Sequence, residues 1–229
     1  MEKTDNSFVS ARWLWFMAAL AALEWTVVFQ PWRNEGSGKN GFWIQMTMSV
    51  LLLAFLAFVL HKGLRRDVAA WFRHFSVAEC AKQLLLGVLV AAALWGVFWV
   101  GDRLSSLMFD FARPQVELVY GLKNDPGMVP WAIPLLLILL IGPAEELFWR
   151  GFVQRSFGEV CGNRFRAFMV TAVIYALIHV CSLNFMLVMA AFVAGLVWGF
   201  LYWLKPSWLP ALVISHALWD AAVFVWFPI

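Results

Sequence analysis

The chain has 229 residues, of which 63% are hydrophobic and 14% are charged, and its net charge is +3. Soluble globular domains carry about 25% charged residues, so this composition excludes a soluble enzyme and indicates an integral membrane protein. The small positive charge is better explained by membrane topology than by nucleic-acid binding. We therefore expect the lipid bilayer, and not nucleic acid, as the partner of this surface.

Seven apolar stretches are long enough to cross a bilayer as helices. The longest polar connection, about 102–128, is too short to bury a core of its own, so we expect one integral-membrane domain over residues 1–229. The predicted fold class is all-α, a polytopic membrane bundle of about seven transmembrane helices. The predicted spans are roughly 12–30, 42–61, 83–101, 129–149, 165–182, 184–204 and 208–227.

The distribution of basic residues predicts the orientation of the bundle. With the N-terminus cytosolic, twelve of the 17 Lys and Arg residues lie on the cytosolic side, so the positive-inside rule favours a cytosolic N-terminus and an outer C-terminus. The segment 62–82 places Trp71, Phe72 and Phe75 among basic residues, which predicts an amphipathic helix along the inner surface. The twelve are Lys3, Arg12, Lys62, Arg65, Arg66, Arg73, Lys82, Arg150, Arg155, Arg164, Arg166 and Lys205.

Three ionisable residues lie at the end of the fourth predicted span: Glu145, Glu146 and Arg150. An ionisable side chain at membrane depth costs roughly 2.5 kcal/mol or more, which makes a functional site the first hypothesis. Glu146 and Arg150 are four residues apart and can form an ion pair on one helix face, a pair that could also be purely structural. Glu145 lies about 100° around the helix, so its partner has to come from another helix.

The dipeptide Gly142-Pro143 precedes these residues and predicts a break in the helix, because proline lacks a donor and clashes with the preceding turn. Proline suits the first turn of a restarted helix, which would then contain Glu145. In the sixth span, Ala191, Gly195 and Gly199 recur every four residues, a pattern that favours close approach of another helix.

Further ionisable residues occur in the later spans: His179, His216 and Asp220. At about 1.5 Å per residue, these side chains and Glu145 lie roughly 12–20 Å from the inner ends of their helices, in one slab somewhat inside the bilayer middle. A shared, enclosed site requires such a coincidence of depth. The alternatives are local: His179 could bond to Tyr175 or a neighbouring hydroxyl, and His216 and Asp220 could satisfy each other.

Taken in chain order, these residues resemble the motifs of the CAAX protease and bacteriocin-processing (CPBP) family of intramembrane endopeptidases. The resemblance covers roughly residues 130–225, which would be the catalytic helices. Tyr replaces the usual Phe of the second motif, and Asp replaces the usual Asn of the last. The matching segments are Glu145-Glu146-x-x-x-Arg150, Tyr175-x-x-x-His179, Phe192-x-x-Gly195-x-x-x-Gly199 and His216-x-x-x-Asp220.

The resemblance implies hydrolysis of a peptide bond in a membrane-embedded or lipidated substrate, in a bacterial plasma membrane. It implies that Glu145 and His179 activate a water, and that His216 and residue 220 stabilise the oxyanion. The six implied catalytic residues are Glu145, Glu146, Arg150, His179, His216 and Asp220, with Glu146 and Arg150 supporting the carboxylate of Glu145.

The family has been argued to be glutamate-dependent and metal-dependent. We favour a reaction that needs no cofactor, although Glu145, His179, His216 and Asp220 could together hold a divalent zinc ion. The aspartate at 220 matters here, because an ionised carboxylate cannot donate a hydrogen bond to an oxyanion. Asp220 must be protonated, orient His216 or bind a metal, and we favour orientation of His216.

Two other functions remain open from the sequence. A non-proteolytic scaffold or peptide-binding protein could keep the motif residues as a polar core, and Asp220 is the feature that favours it. A small transporter could use the buried acids as a proton relay, but the chain shows no internal repeat of the kind many transporters have. The sequence assigns no role to Glu24 in the first span and no oligomeric state.

Overall fold

The computed structural model describes residues 9–33, 41–73, 76–124 and 128–229. Throughout these ranges the regular structure is helical, and seven helices are long and apolar enough to span a membrane. The chain is thus an all-α, multi-pass integral membrane protein, as predicted. Numbered in chain order, the spans are Ala11–Phe29, Phe42–Leu60, Val77–Met108, Ala132–Cys161, Arg164–Ser182, Phe185–Leu204 and Pro206–Trp226; the first helix continues to Arg33.

Two predicted boundaries are wrong around the third span. Its helix contains 32 residues, about 48 Å of helix, and extends well beyond the predicted 83–101. The helix continues through Glu79 and Lys82 near one end and Asp102 and Arg103 near the other, because charged side chains do not by themselves stop helix formation. The polar connection after this helix contains a short helix Ala112–Tyr120 and a 3-10 helix Gly121–Asn124.

The predicted surface helix is shorter than expected and spans Lys62–Arg73, hereafter the amphipathic helix. Phe72 on this helix is 79% exposed, while Phe75 lies outside the described residues. Arg155, near the end of the fourth span, donates to Asp67 of the amphipathic helix at 2.6 Å and to Glu159 at 3.1 Å. The contact with Asp67 joins the amphipathic helix to the fourth span, and the contact with Glu159 orients the Arg155 side chain.

The fourth span is continuous, so the predicted break at Gly142-Pro143 is wrong. The α-helical segment Gly142–Glu146 lies between two π-helical segments, Leu137–Ile141 and Leu147–Gln154. In the first of these the N–H of Gly142 donates to the carbonyl of Leu137, five residues back. The wider turn accommodates the proline without ending the helix. Glu145 does lie in the first turn of the short α-helical segment, as predicted.

Glycines bring the site-bearing helices into close contact. A Cβ atom at Gly142 would lie 2.7 Å from Cα of Ala217, so the backbones of the fourth and seventh spans touch there. A Cβ atom at Gly195 would lie 3.1 Å from the Tyr175 ring, which confirms the predicted close approach along the sixth span. The first contact brings the seventh span, with its buried His216, against the fourth.

Candidate active site

A cavity of about 530 Å³ lies among the spans and is lined mainly by aliphatic and aromatic side chains. The four side chains predicted to share one depth, from three separate spans, all line it. They are Glu145, His179, His216 and Asp220, and Tyr175 lies beside them. Glu146 and Arg150 are buried next to the cavity and are not part of its lining.

The cavity lies at the end of the bundle opposite the amphipathic helix. Its lining includes Phe42 and Phe185, the first residues of the second and sixth spans, and Ser105, near the end of the third. In the predicted orientation the cavity extends to the outer end, while Glu145 and His216 lie near the middle of their spans. The α-helix of the fifth span ends at Ile178, so His179 lies nearer the end of its span than Glu145 and His216 do.

Glu145 is 4% exposed, and its partner comes from another helix, as its position requires. The hydroxyl of Tyr175 donates to Glu145 Oε2 at 3.0 Å. Among the described residues Glu145 forms no ion pair, and the group that donates a hydrogen bond to it is the uncharged Tyr175 hydroxyl. The Tyr that replaces the family's usual Phe therefore holds Glu145 directly.

Glu146 is fully buried and binds two cationic side chains through one oxygen. Its Oε1 accepts from Arg150 Nη1 at 2.7 Å, which confirms the predicted pair, and it lies 2.9 Å from His216 Nδ1. Among the described residues Glu146 bonds to Arg150 and His216 and not to Glu145, so the implied support of Glu145 by Glu146 and Arg150 would be indirect. Arg150 approaches Glu145 only through Tyr175, whose ring centre lies 5.1 Å from the guanidinium carbon.

His216 lies between two carboxylates, since its Nε2 is 3.4 Å from Asp220 Oδ2. Carboxylate oxygens accept hydrogen bonds, so the ring satisfies both neighbours as an imidazolium that donates from both nitrogens. The Trp198 ring stacks on it, with centroids 4.0 Å apart. If Asp220 orients the His216 ring, the two side chains must be in contact, as they are here.

His179 has both ring nitrogens engaged. Nδ1 lies 2.7 Å from the carbonyl oxygen of Tyr175, and Nε2 lies 3.2 Å from the indole nitrogen of Trp25. Trp25 is on the first span, where the sequence offers no signal that separates it from the other 14 tryptophans. Glu24, its neighbour in sequence, accepts from Ser49 at 2.7 Å and does not line the cavity.

The donor atoms do not fit a zinc ion in this arrangement. Throughout the described part of the chain, no group of three His, Cys, Asp or Glu side chains is placed to hold a metal. The ring nitrogens of His179 and His216 are bonded to other groups, and a zinc ion would have to displace them.

Comparison with known proteins gives one family match. Residues 127–222 match a family model described as type II CAAX prenyl endopeptidase Rce1-like. No curated protein and no solved structure matches the chain. The matched segment includes all six residues that the motifs singled out and excludes the first three spans. This segment matches the family that the motifs predicted, and the match indicates a protease, a peptide hydrolase, as the reaction class.

Proposed function

We propose that the chain is an intramembrane endopeptidase in which Glu145 is the general base that activates a water. The observation that carries the proposal is the placement of Glu145 in the wall of a mainly apolar cavity, where its hydrogen-bond partner among the described residues is the uncharged Tyr175 hydroxyl. A carboxylate held in this way keeps an oxygen available to accept a proton, whereas Glu146 is already neutralised by two cations.

The first step follows from the bonds to Glu145. Tyr175 donates to Oε2, which leaves Oε1 to accept a proton from a water in the cavity. As that O–H bond breaks, the water oxygen bonds to the peptide carbonyl carbon, and the carbonyl π electrons move to the oxygen. The product is a tetrahedral oxyanion beside a protonated Glu145.

The oxyanion then needs a donor, and His216 can supply one. Its Nδ1 is held by Glu146, while the 3.4 Å contact from Nε2 to Asp220 is long enough to be exchanged for a closer acceptor. Asp220 orients the ring, and the imidazolium stabilises the negative charge as it develops. Glu145 returns its proton to the peptide nitrogen, the C–N bond breaks, and a carboxylic acid and an amine are released.

The substrate we propose is a membrane-embedded or lipidated peptide or protein. A cavity of about 530 Å³ is within the size range of small-molecule sites and would take a few apolar residues or part of a lipid chain. We further propose a bacterial plasma membrane with the N-terminus cytosolic. Labelling of the exposed Cys80 by a membrane-impermeant maleimide only after permeabilisation would support that orientation.

The test is the substitution Glu145→Gln in purified, folded protein. We expect kcat to fall about 100-fold to 10,000-fold, the usual contribution of a general base, with little change in thermal stability. A substrate can be identified from the termini of membrane peptides that accumulate in cells carrying the variant. Undiminished cleavage would reject the proposal, and full biological activity of both Glu145→Gln and His179→Ala would favour the non-proteolytic scaffold.

A further inference from the structure

The hydrogen bonds of His179 determine which of its nitrogens carries the proton. The carbonyl oxygen of Tyr175 can only accept, so Nδ1, 2.7 Å away, carries a hydrogen and donates. Nε2 faces the indole N–H of Trp25 at 3.2 Å, and an indole nitrogen can only donate. His179 is therefore a neutral ring whose lone pair, on Nε2, is occupied by Trp25.

Trp25 is held rigidly in this position. It is fully buried, and its ring packs edge-on against Trp149 and His179, with centroid distances of 6.2 and 5.9 Å. Trp25 is on the first span, outside the residues 127–222 that match the family. The first span thus supplies a side chain that bonds to a residue of the proposed active site.

We infer, on the basis of the proposed function, that Trp25 competes with the catalytic water for His179. Its N–H occupies the Nε2 lone pair that the water would use, while the bond to the Tyr175 carbonyl keeps Nδ1 protonated. During turnover, an O–H of the water replaces the indole N–H at Nε2. This exchange lets His179 hold the water while Glu145 takes its proton.

The exchange conserves the number of hydrogen bonds at His179, because one donor replaces another on a single lone pair. The water can arrive from the cavity, since His179 forms part of its wall. The bond to Trp25 competes with this arrival. Removing the indole N–H while keeping an aromatic ring should therefore favour the water-bound arrangement.

The experiment compares Trp25→Phe with Trp149→Phe. Trp149 is a matched control, because it is equally buried and packs in the same aromatic cluster, but its indole nitrogen has no hydrogen-bond partner among the described residues. Nitrogen-15 NMR of histidine-labelled protein reports the tautomer of His179 without a substrate. We expect Trp25→Phe to shift the Nε2 resonance of His179 and leave Nδ1 protonated, and Trp149→Phe to change neither.

In the cleavage assay we expect Trp25→Phe to raise kcat about twofold to tenfold, the factor for one net hydrogen bond, with KM unchanged. Identical His179 spectra in the two variants would overturn the inference, as would a loss of kcat in Trp25→Phe. If Trp25→Phe does not fold, site-specific incorporation of benzothienylalanine at position 25 removes the N–H and keeps the shape. The NMR result stands independently of proteolysis, so failure of the proposed function would be seen separately.

Discussion

Glu145 and Glu146 are adjacent, almost equally buried and chemically identical, yet their surroundings differ completely. Glu146 shares one oxygen between Arg150 and His216, whereas Glu145 lines the cavity and accepts a hydrogen bond from the Tyr175 hydroxyl. The difference arises from the rotation of about 100° between successive helical residues, which turns one carboxylate toward the seventh span and the other toward the cavity. One step along a helix thus separates an ion that stabilises the site from an ion available for chemistry.

The largest expected effect is on the free energy of unfolding, when Glu146 is replaced. Glu146→Gln would leave two buried cations, Arg150 and His216, without the carboxylate they share. Removing one partner of a buried pair typically costs about 3–5 kcal/mol, so we expect a large decrease in the free energy of unfolding, measured by denaturant titration in detergent.

The matched control is Glu145→Gln, the same change one residue earlier. This variant should lose activity and keep its stability, because it leaves no charge unpaired among the described contacts of Glu145. Equal destabilisation by the two substitutions would remove the distinction between the two carboxylates.

A smaller effect is expected from Tyr175→Phe. The substitution removes the hydroxyl that donates to Glu145 and keeps the ring that packs against Arg150. We expect kcat to change by about tenfold at most, roughly one hydrogen bond, because the family motif usually has Phe here. Tyr202→Phe, in a buried tyrosine that does not line the cavity, should leave kcat unchanged. A loss as large as that of Glu145→Gln would mean that the hydroxyl itself takes part in proton transfer.

Asp220→Asn should have a still smaller effect. The amide oxygen of Asn can accept from His216 in place of the carboxylate, so orientation of the ring is preserved. We expect kcat within about threefold of the wild-type value, less than the loss of one full hydrogen bond. Asp220→Ala, which removes the acceptor, should lose more. If the two variants were equally impaired, Asp220 would act through its charge and not by orienting His216.

No effect is expected from removal of metal ions. Dialysis against a strong chelator should leave the cleavage rate unchanged, because the proposed reaction uses only side chains of the chain and a water. The rate would be measured before and after dialysis and again after addition of zinc. Loss of activity on chelation with recovery on zinc would show that the histidines rearrange to bind the ion.

Local spacing explains what the sequence predicted correctly. The Glu146–Arg150 pair and the Gly195 contact depend on residues four apart on one helix, and this periodicity is visible in the chain. Hydropathy predicted the seven spans because each is a continuous apolar stretch, which is also a local property of the sequence. The motifs also singled out the side chains that line the cavity, although not which of them Glu146 would bind.

The contacts that sequence reasoning missed depend on how distant helices are rotated. His216 is 70 positions from Glu146, and His179 is 154 positions from Trp25. These sequence separations are far larger than the three or four residues of a helical repeat, so no periodic pattern in the sequence predicts these contacts. The π-helical segments change the rotation further, because each shifts the direction of the residues that follow it, and hydropathy carries no trace of that shift.

The π-helical segments also affect which residues of the fourth span lie on the same face of the helix. A π turn holds about one residue more than an α turn, so deletion of one residue within Leu137–Ile141 would convert the segment to α-helix. Relative to the preceding helix, Glu145 and Glu146 would then keep about the directions they have now, because the π turn holds the one residue that the deletion removes. The π turn therefore lets the span carry one more residue without turning Glu145 away from the cavity.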